Sequence, residues 1–415
     1  MSARPGNGAR RGGADPATIL ARAQALREPL AEFLSDLVAI PSPSGGEAAV
    51  VHRVEEEMRA AGFDEVKVDG LGNVLGRVGD GPRVIAFDAH LDTVGVGDPD
   101  QWTYEPHGGE IDYGRVYGRG AVDQKAGMAA MVHAGRLLRE LGLARDCQVW
   151  MVGSVMEEDC DGLCWHYILS EGVLRPEVVV STEPTGLTLT RGQRGRMEIR
   201  VAAGGRSCHG SAPERGDNAI TKLAPAIPAL AALNERLRHD DFLGKGTCAV
   251  TWIGSRSPSL CAVPDRCELH LDRRLTAGED RESALREVRE TIAAAGVPGE
   301  VTTLTYREPS HTGLVYPMEK YYPTWLLPPE APAVRAGVAA HEALLGRPPV
   351  VSRWTFSTNG VAINGLHGVP CVGFGPGSEA QAHAPDEYVP IDDLVTACAF
   401  YTAFPDAFVA AAPRP

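Results

Sequence analysis

The stretch RGRMEIRVAA, residues 194 to 203, reads as a strand, and the pattern of the chain changes there. After it, NAITKLAPAIPALAALNERL (218–237) reads as a helix, and TCAVTWIG (247–254) and CELHLDRRL (267–275) read as strands. SALREVRETIAAAG (283–296) is then a helix and EVTTLTY (300–306) a last strand. That order matches a small ferredoxin-like α+β unit. Upstream, short strands at about 65–69, 73–78, 83–89, 148–154 and 177–182, with a helix at about 124–141, give the alternation of an α/β sheet. Beyond about residue 310 the alternation resumes, with VVSRW (350–354), PCVGF (370–374) and a C-terminal helix from about Ile391. Residues 194–308 therefore read as an insertion into one discontinuous α/β domain made of 16–193 and 309–415.

A chain of 415 residues exceeds the size at which one core stops growing, so two domains are expected. Residues 1–15 are rich in Gly, Arg and Pro and read as a disordered tail. From Pro16 to Val38 the apolar residues recur at helical steps, and a second helix follows SPSGGE, where Ser44 and Glu47 have capping-box spacing. A net charge of −14 argues against nucleic acid or an anionic membrane as partner, and favours a small substrate. No apolar run approaches the ~20 residues of a membrane span, and the N-terminus has no continuous apolar core, so a cytoplasmic location is expected. Nine cysteines, an odd and scattered set, indicate reduced thiols, and CDGLC (160–164) has no second pair nearby to make a zinc knuckle.

The strand AFDAHLDTVG (86–95) ends in Asp88, His90 and Asp92 at alternate positions, which share one face. Four further places at strand ends or connections offer metal-type donors. Asp123 precedes the helix starting near Gln124, where an N-cap would also explain it. Glu157, Glu158 and Asp159 leave a buried strand together and repel one another unless solvated or bound to a cation. Glu183 follows the strand at 178–180, and His383 lies in a loop after PCVGF. His90, Asp123, Glu158, Glu183 and His383 could hold two divalent ions if one carboxylate bridges them. Zinc suits the imidazole and carboxylate mixture, with cobalt or manganese as alternatives.

HLD, GRGAVDQKAG, MEED, STEPT, SCHGSAPERGDNAI, VPDRCELHLDRR, GPG and HAPDE follow in order from about residue 40 to the C-terminus. In these stretches the chain resembles the co-catalytic dinuclear zinc hydrolases that include acetylornithine deacetylase, succinyl-diaminopimelate desuccinylase, aminoacylase and glutamate carboxypeptidase. RGQRGRMEIRV, DRRLT and WTFSTNG are similar to the branch labelled selenium-metabolism-linked hydrolase. The resemblance implies a zinc-peptidase-like catalytic domain, a mixed sheet flanked by helices, interrupted by a ferredoxin-like lid and dimerisation domain. It also implies a homodimer through that lid.

By the same resemblance, Asp123 bridges two zinc ions, His90 and Glu183 complete one, and Glu158 and His383 the other. Asp92 is then the carboxylate that orients His90, and Glu157 the general base that takes a proton from water and passes it to the leaving amine. His209 reaches across the dimer to polarise the scissile carbonyl. Arg274 binds the substrate carboxylate, aided by N–H groups of Gly375 and Gly377. Two departures bear on the substrate: Cys261 stands ahead of the VPD turn where many relatives have Asn, and Thr358-Asn359 replaces Ser-Asp or Thr-Asp near the substrate. Asp88 receives no role. The expected activity is hydrolysis of an amide C–N bond in a small carboxylate-bearing substrate, such as an N-acyl amino acid or short peptide. A non-catalytic scaffold would have lost a ligand or the base, and a phosphoesterase would need a basic cluster, for which RGQRGR is the one candidate.

Overall fold

The computed structural model describes residues 14–143 and 145–412, so all but the last two residues of the expected tail lie outside the described residues. The strand Arg83–His90 is buried along nearly its whole length, as befits the middle of a sheet covered on both faces. It lies in a nine-stranded sheet ordered Glu65–Val68, Val74–Val78, Cys147–Ser154, Arg83–His90, Val178–Ser181, Cys371–Gly373 and Leu189–Gln193, with Trp325–Leu326 and Val351–Trp354 both on the last. Cys147–Ser154, Arg83–His90, Val178–Ser181 and Cys371–Gly373 run parallel, and antiparallel strands flank them. The sheet is mixed, with helices packed on it, as the α/β reading expects.

The inserted unit has its own core around Met197, Ile199, Leu230, Leu269, Leu271 and Val288. Its sheet runs Thr247–Arg256, Arg266–Leu275, Gly195–Gly204, Glu300–Thr303, all antiparallel, with helices Ala226–Glu235 and Arg281–Ala294 packed together. A short strand, Tyr321–Tyr322, also pairs with Gly195–Gly204, while Tyr306 joins the large core. The return between the units is thus interleaved and has no single crossing point.

Local expectations differ in four places. The helix read over 16–38 is two helices, Pro16–Ala25 and Arg27–Val38, parted at Leu26, whose ψ of 10° leaves the helical well. The helix read over 218–237 is likewise split, into Ala219–Leu223 and Ala226–Glu235, around Pro225, which has no N–H to continue the ladder. Ser44 and Glu47 form no capping box: Ser44 Oγ donates to Asp92 Oδ2 (2.7 Å) and Glu47 Oε1 accepts from Met156 N–H (3.0 Å). The C-terminal helix Ile391–Ala411 is long and apolar enough to cross a membrane, against the expectation that no run is. Its Leu394, Phe400, Tyr401 and Phe404 are buried against helices Ala126–Glu140 and Pro332–Leu345, so its apolar surface serves the core.

Candidate metal centre

Three neighbouring parallel strands deliver their carboxyl ends to one place. Ser154, His90 and the residues after Ser181 lie side by side, since His90 pairs with Ser154 and Asp88 with Ser181. Glu157 and Glu158 follow the first strand, His90 ends the second and Glu183 follows the third. The fourth strand, Cys371–Gly373, leads into the loop bearing His383. Asp123 comes from an irregular turn, 121–125, ahead of the helix Ala126–Glu140, which starts later than the sequence suggests. Asp123 has φ −118° and ψ 93°, and its side chain points into the cluster instead of capping the helix.

All five expected ligands and Glu157 meet there. Asp123 Oδ1 is 2.9 Å from His90 Nε2, and Asp123 Oδ2 is 3.2 Å from His383 Nε2. Glu158 Oε2 is 3.2 Å from His383 Nε2, and Glu183 Oε1 and Glu157 Oε2 are 3.8 and 3.9 Å from His90 Nε2. Two triads, His90–Asp123–Glu158 and His90–Glu157–Glu183, each place their donor atoms within 4.8 Å of one another. Glu157 Oε1, Glu158 Oε1 and Glu183 Oε2 are buried without a hydrogen-bond partner, so the donor set fits cations and is otherwise unsatisfied.

The crowding perturbs every group. Burial, then the Glu183 charge, raises Glu157 well above the usual carboxylate range; burial and Asp123 raise Glu158, and burial and Asp123 likewise raise Glu183. Burial alone would raise Asp123 and lower His90, yet each is moved the other way by its imidazole or carboxylate neighbours. Hydrogen bonds to Asp123 and Glu158 lift His383 to about 10. This is a concentration of negative charge in a buried place, the situation that divalent ions relieve.

Asp92 acts differently from the expectation. His90 Nδ1 is 2.8 Å from the main-chain oxygen of Asp92, and its carboxylate stands back at 3.7 Å. That carboxylate is filled by the N–H groups of Glu157 (3.1 Å) and Glu158 (3.0 Å) and by Ser44 Oγ (2.7 Å). The main-chain oxygen fixes the His90 proton on Nδ1, and the side chain fixes the Glu157–Glu158 turn.

A cleft of about 520 Å³ opens over the cluster, lined by Asp123, Glu157, Glu158, Glu183 and His383 from below and by Arg274 and Arg196 of the inserted domain. Arg274 lies where a substrate carboxylate could reach it, held by Asp272 at 2.7 and 3.0 Å. Arg196 pairs with Arg274 across neighbouring strands and bonds Asp161 (3.0 Å), a residue of the loop after Glu158. Sequence reading passed over Arg196, Asp161, Phe356 and Glu379, all in the cleft wall. RGQRGR was the visible signal for Arg196, but strand register was needed to set it beside Arg274.

Four expected residues are elsewhere. Asn359 is fully buried, donating to Asp88 Oδ2 (2.9 Å) and Ser154 Oγ (3.1 Å) and accepting from Gly162 N–H (3.1 Å). It is therefore away from the cleft, and it supplies the missing account of Asp88, one member of a buried polar node. Gly375 N–H donates to Thr185 Oγ1 (3.0 Å) and Gly377 N–H to Asp393 Oδ2 (3.1 Å), so neither is open to a ligand. Their role is space: a Cβ on Gly375 would come within 2.1 Å of the Glu183 main-chain oxygen, and one on Gly377 within 2.3 Å of Val122. His209 is exposed on the inserted domain, its Nδ1 accepting from Ser211 N–H (3.1 Å) and lying close to Ser211 Oγ (2.7 Å), and it lines no part of its own chain's cleft.

Comparison with known proteins agrees with this geometry. The chain is 52% identical over 392 residues, 94% of its length and 97% of the other's, to the uncharacterized protein YgeY of Escherichia coli strain K12. It is 29% identical to a succinyl-diaminopimelate desuccinylase of Rhodospirillum centenum, over 91% of this chain and 97% of that one. A Bacillus subtilis structure described as a dinuclear metal binding peptidase of the M20 family superposes with a TM-score of 0.68 at 15% identity, covering 93% of this chain and 99% of that one. The model of peptidase family M20/M25/M40 matches residues 86–407, a span that takes in every donor of the cluster. The chain therefore belongs to peptidase family M20/M25/M40 and is a metallo-amidohydrolase.

Proposed function

We propose that the protein hydrolyses the amide C–N bond of a small substrate bearing a carboxylate, an N-acyl amino acid or a short peptide, at two divalent ions. The observation that carries this reading is Asp123, one carboxylate with an oxygen toward each of two imidazoles, His90 and His383. In it His90 and Glu183 complete one ion and Glu158 and His383 the other. Zinc is the preferred occupant for two imidazoles among carboxylates, with cobalt or manganese as substitutes. Ions so placed would activate water at a pKa of about 7 and polarise a carbonyl oxygen.

Glu157 is the general base. Its Oε1 has no partner and its carboxylate lines the cleft, so it can accept a proton from the attacking water and return it to the amine nitrogen as the C–N bond breaks. Arg274 takes the substrate carboxylate, with guanidinium geometry suited to two parallel bonds. His209 polarises the carbonyl in the cleft of a partner subunit. Support for a homodimer through the inserted domain comes from its free edge strand, Thr247–Arg256, where Trp252 and Ile253 are half exposed, and from Leu260 beside it. The His209 segment touches the same region, bridging to Ala262. Nine unpaired cysteines fit a reducing, cytoplasmic setting.

The test is a turnover screen by mass spectrometry over N-acyl amino acids, dipeptides and N-carbamoyl compounds, with Zn, Co or Mn supplied. Release of a free amine that stops on chelation and returns with metal supports the reading. Turnover confined to phosphoesters would overturn it.

A further inference from the structure

Glu387 stands four residues after His383, and its side chain is fully buried. Oε1 accepts from the main-chain N–H groups of Val122 (2.8 Å) and Asp123 (3.1 Å), and Oε2 accepts from Arg119 Nη1 (2.5 Å). The main-chain oxygen of Glu387 accepts from Gly118 N–H (2.8 Å), and the strand that follows, Tyr388–Pro390, pairs with Arg115–Tyr117. One carboxylate thus joins the turn carrying Asp123 to the loop carrying His383.

Neither segment has a regular ladder to hold it. Asp123 sits in an irregular turn, and His383 and Asp386 have left-handed φ values of 62° and 51°. Irregular backbone must find its partners in side chains. Asp386 takes the N–H groups of Thr103 (2.7 Å) and Tyr104 (3.1 Å), which anchors the far side of the loop. Glu387 anchors the near side, at the point where the loop meets Asp123.

We propose that Glu387 is a positioning residue, which sets the separation of Asp123 and His383 and so the affinity of the ion they would share with Glu158. This rests on the two-ion reading above. Removing Glu387 alone would strand Arg119 as a buried charge, so the variants are made with Arg119→Met. Arg119→Met/Glu387→Gln keeps an acceptor for the two N–H groups; Arg119→Met/Glu387→Leu removes it without leaving a charge.

The measurement is a titration with Zn²⁺ and Co²⁺ against a competing chelator, together with melting of the metal-free proteins and the cobalt absorption spectrum. The Leu variant is expected to weaken one of the two binding steps by about 10–100-fold, the scale for partners that hold metal ligands in place, and to change the cobalt spectrum. The Gln variant should stay within about 3-fold at both steps, while the Leu variant, which leaves the Val122 and Asp123 N–H groups without an acceptor, should melt lower in the metal-free form. Wild-type-like binding of both ions by the Leu variant overturns the proposal. So does equal weakening in the Gln and Leu variants, or a Leu variant in which both binding steps weaken alike, the mark of a general loss of structure. A wild-type protein that binds fewer than two ions removes the two-ion reading itself, and that result is visible before any variant is compared.

Discussion

Glu157 and Glu158 leave one strand as neighbours, yet their side chains face different partners. Asp92 makes this possible: Oδ1 holds the N–H of Glu157 and Oδ2 that of Glu158, so both peptides are fixed while the side chains diverge. Glu158 Oε2 reaches His383, and Glu157 Oε2 lies on the His90 side. Glu157→Gln keeps the size and removes the base, so kcat is expected to fall by at least ~100-fold with two ions retained. Activity and elemental analysis on the same sample check this. Near-normal turnover would take Glu157 out of the mechanism, and loss of an ion would exchange its role with that of Glu158.

At the scale of elements, much of the fold was legible because the strands are short, apolar and capped by polar residues. The positions of Arg83–His90 and Val178–Ser181 follow from that pattern within a residue or two. The donors of the cluster were legible for a related reason: His90, Glu157, Glu158 and Glu183 stand at or just past the ends of apolar strands, while Asp123 and His383 lie in the connections. What could not be read was hydrogen bonding between distant segments. Ser44 and Glu47 have the spacing of a helix cap, but competition from Asp92 and the Met156 N–H draws both side chains toward the site. Asn359 lies close in sequence to cleft residues such as Phe356 and Ser357, yet its side chain turns inward to Asp88. Gly375 and Gly377 looked like open N–H donors because their acceptors, Thr185 and Asp393, are remote in sequence.

The inserted domain's edge strand and the His209 segment yield a prediction of their own. If His209 serves a partner's cleft, heterodimers of Glu157→Gln and His209→Ala subunits contain one site with both groups intact. Co-expressed subunits with distinct tags should then show activity above either parent. Tagged heterodimers as inactive as their parents would refute the cross-subunit role, as would a monomeric protein in solution.

For the whole molecule, the two units enclose one cleft with the carboxylate and imidazole donors on its floor and Arg196 and Arg274 on its upper wall. The large domain supplies the donors, and the inserted domain supplies the groups suited to a substrate's charge. The proposed hydrolysis depends on the floor holding two ions, and one oxygen of each of Glu157, Glu158 and Glu183 is buried there without a partner. The direct test is the metal content of purified protein, reconstituted with zinc, freed of loose metal and measured by elemental analysis against protein concentration. About two ions per chain are expected, as a bridged site of five ligands requires. One ion or fewer per chain would contradict it.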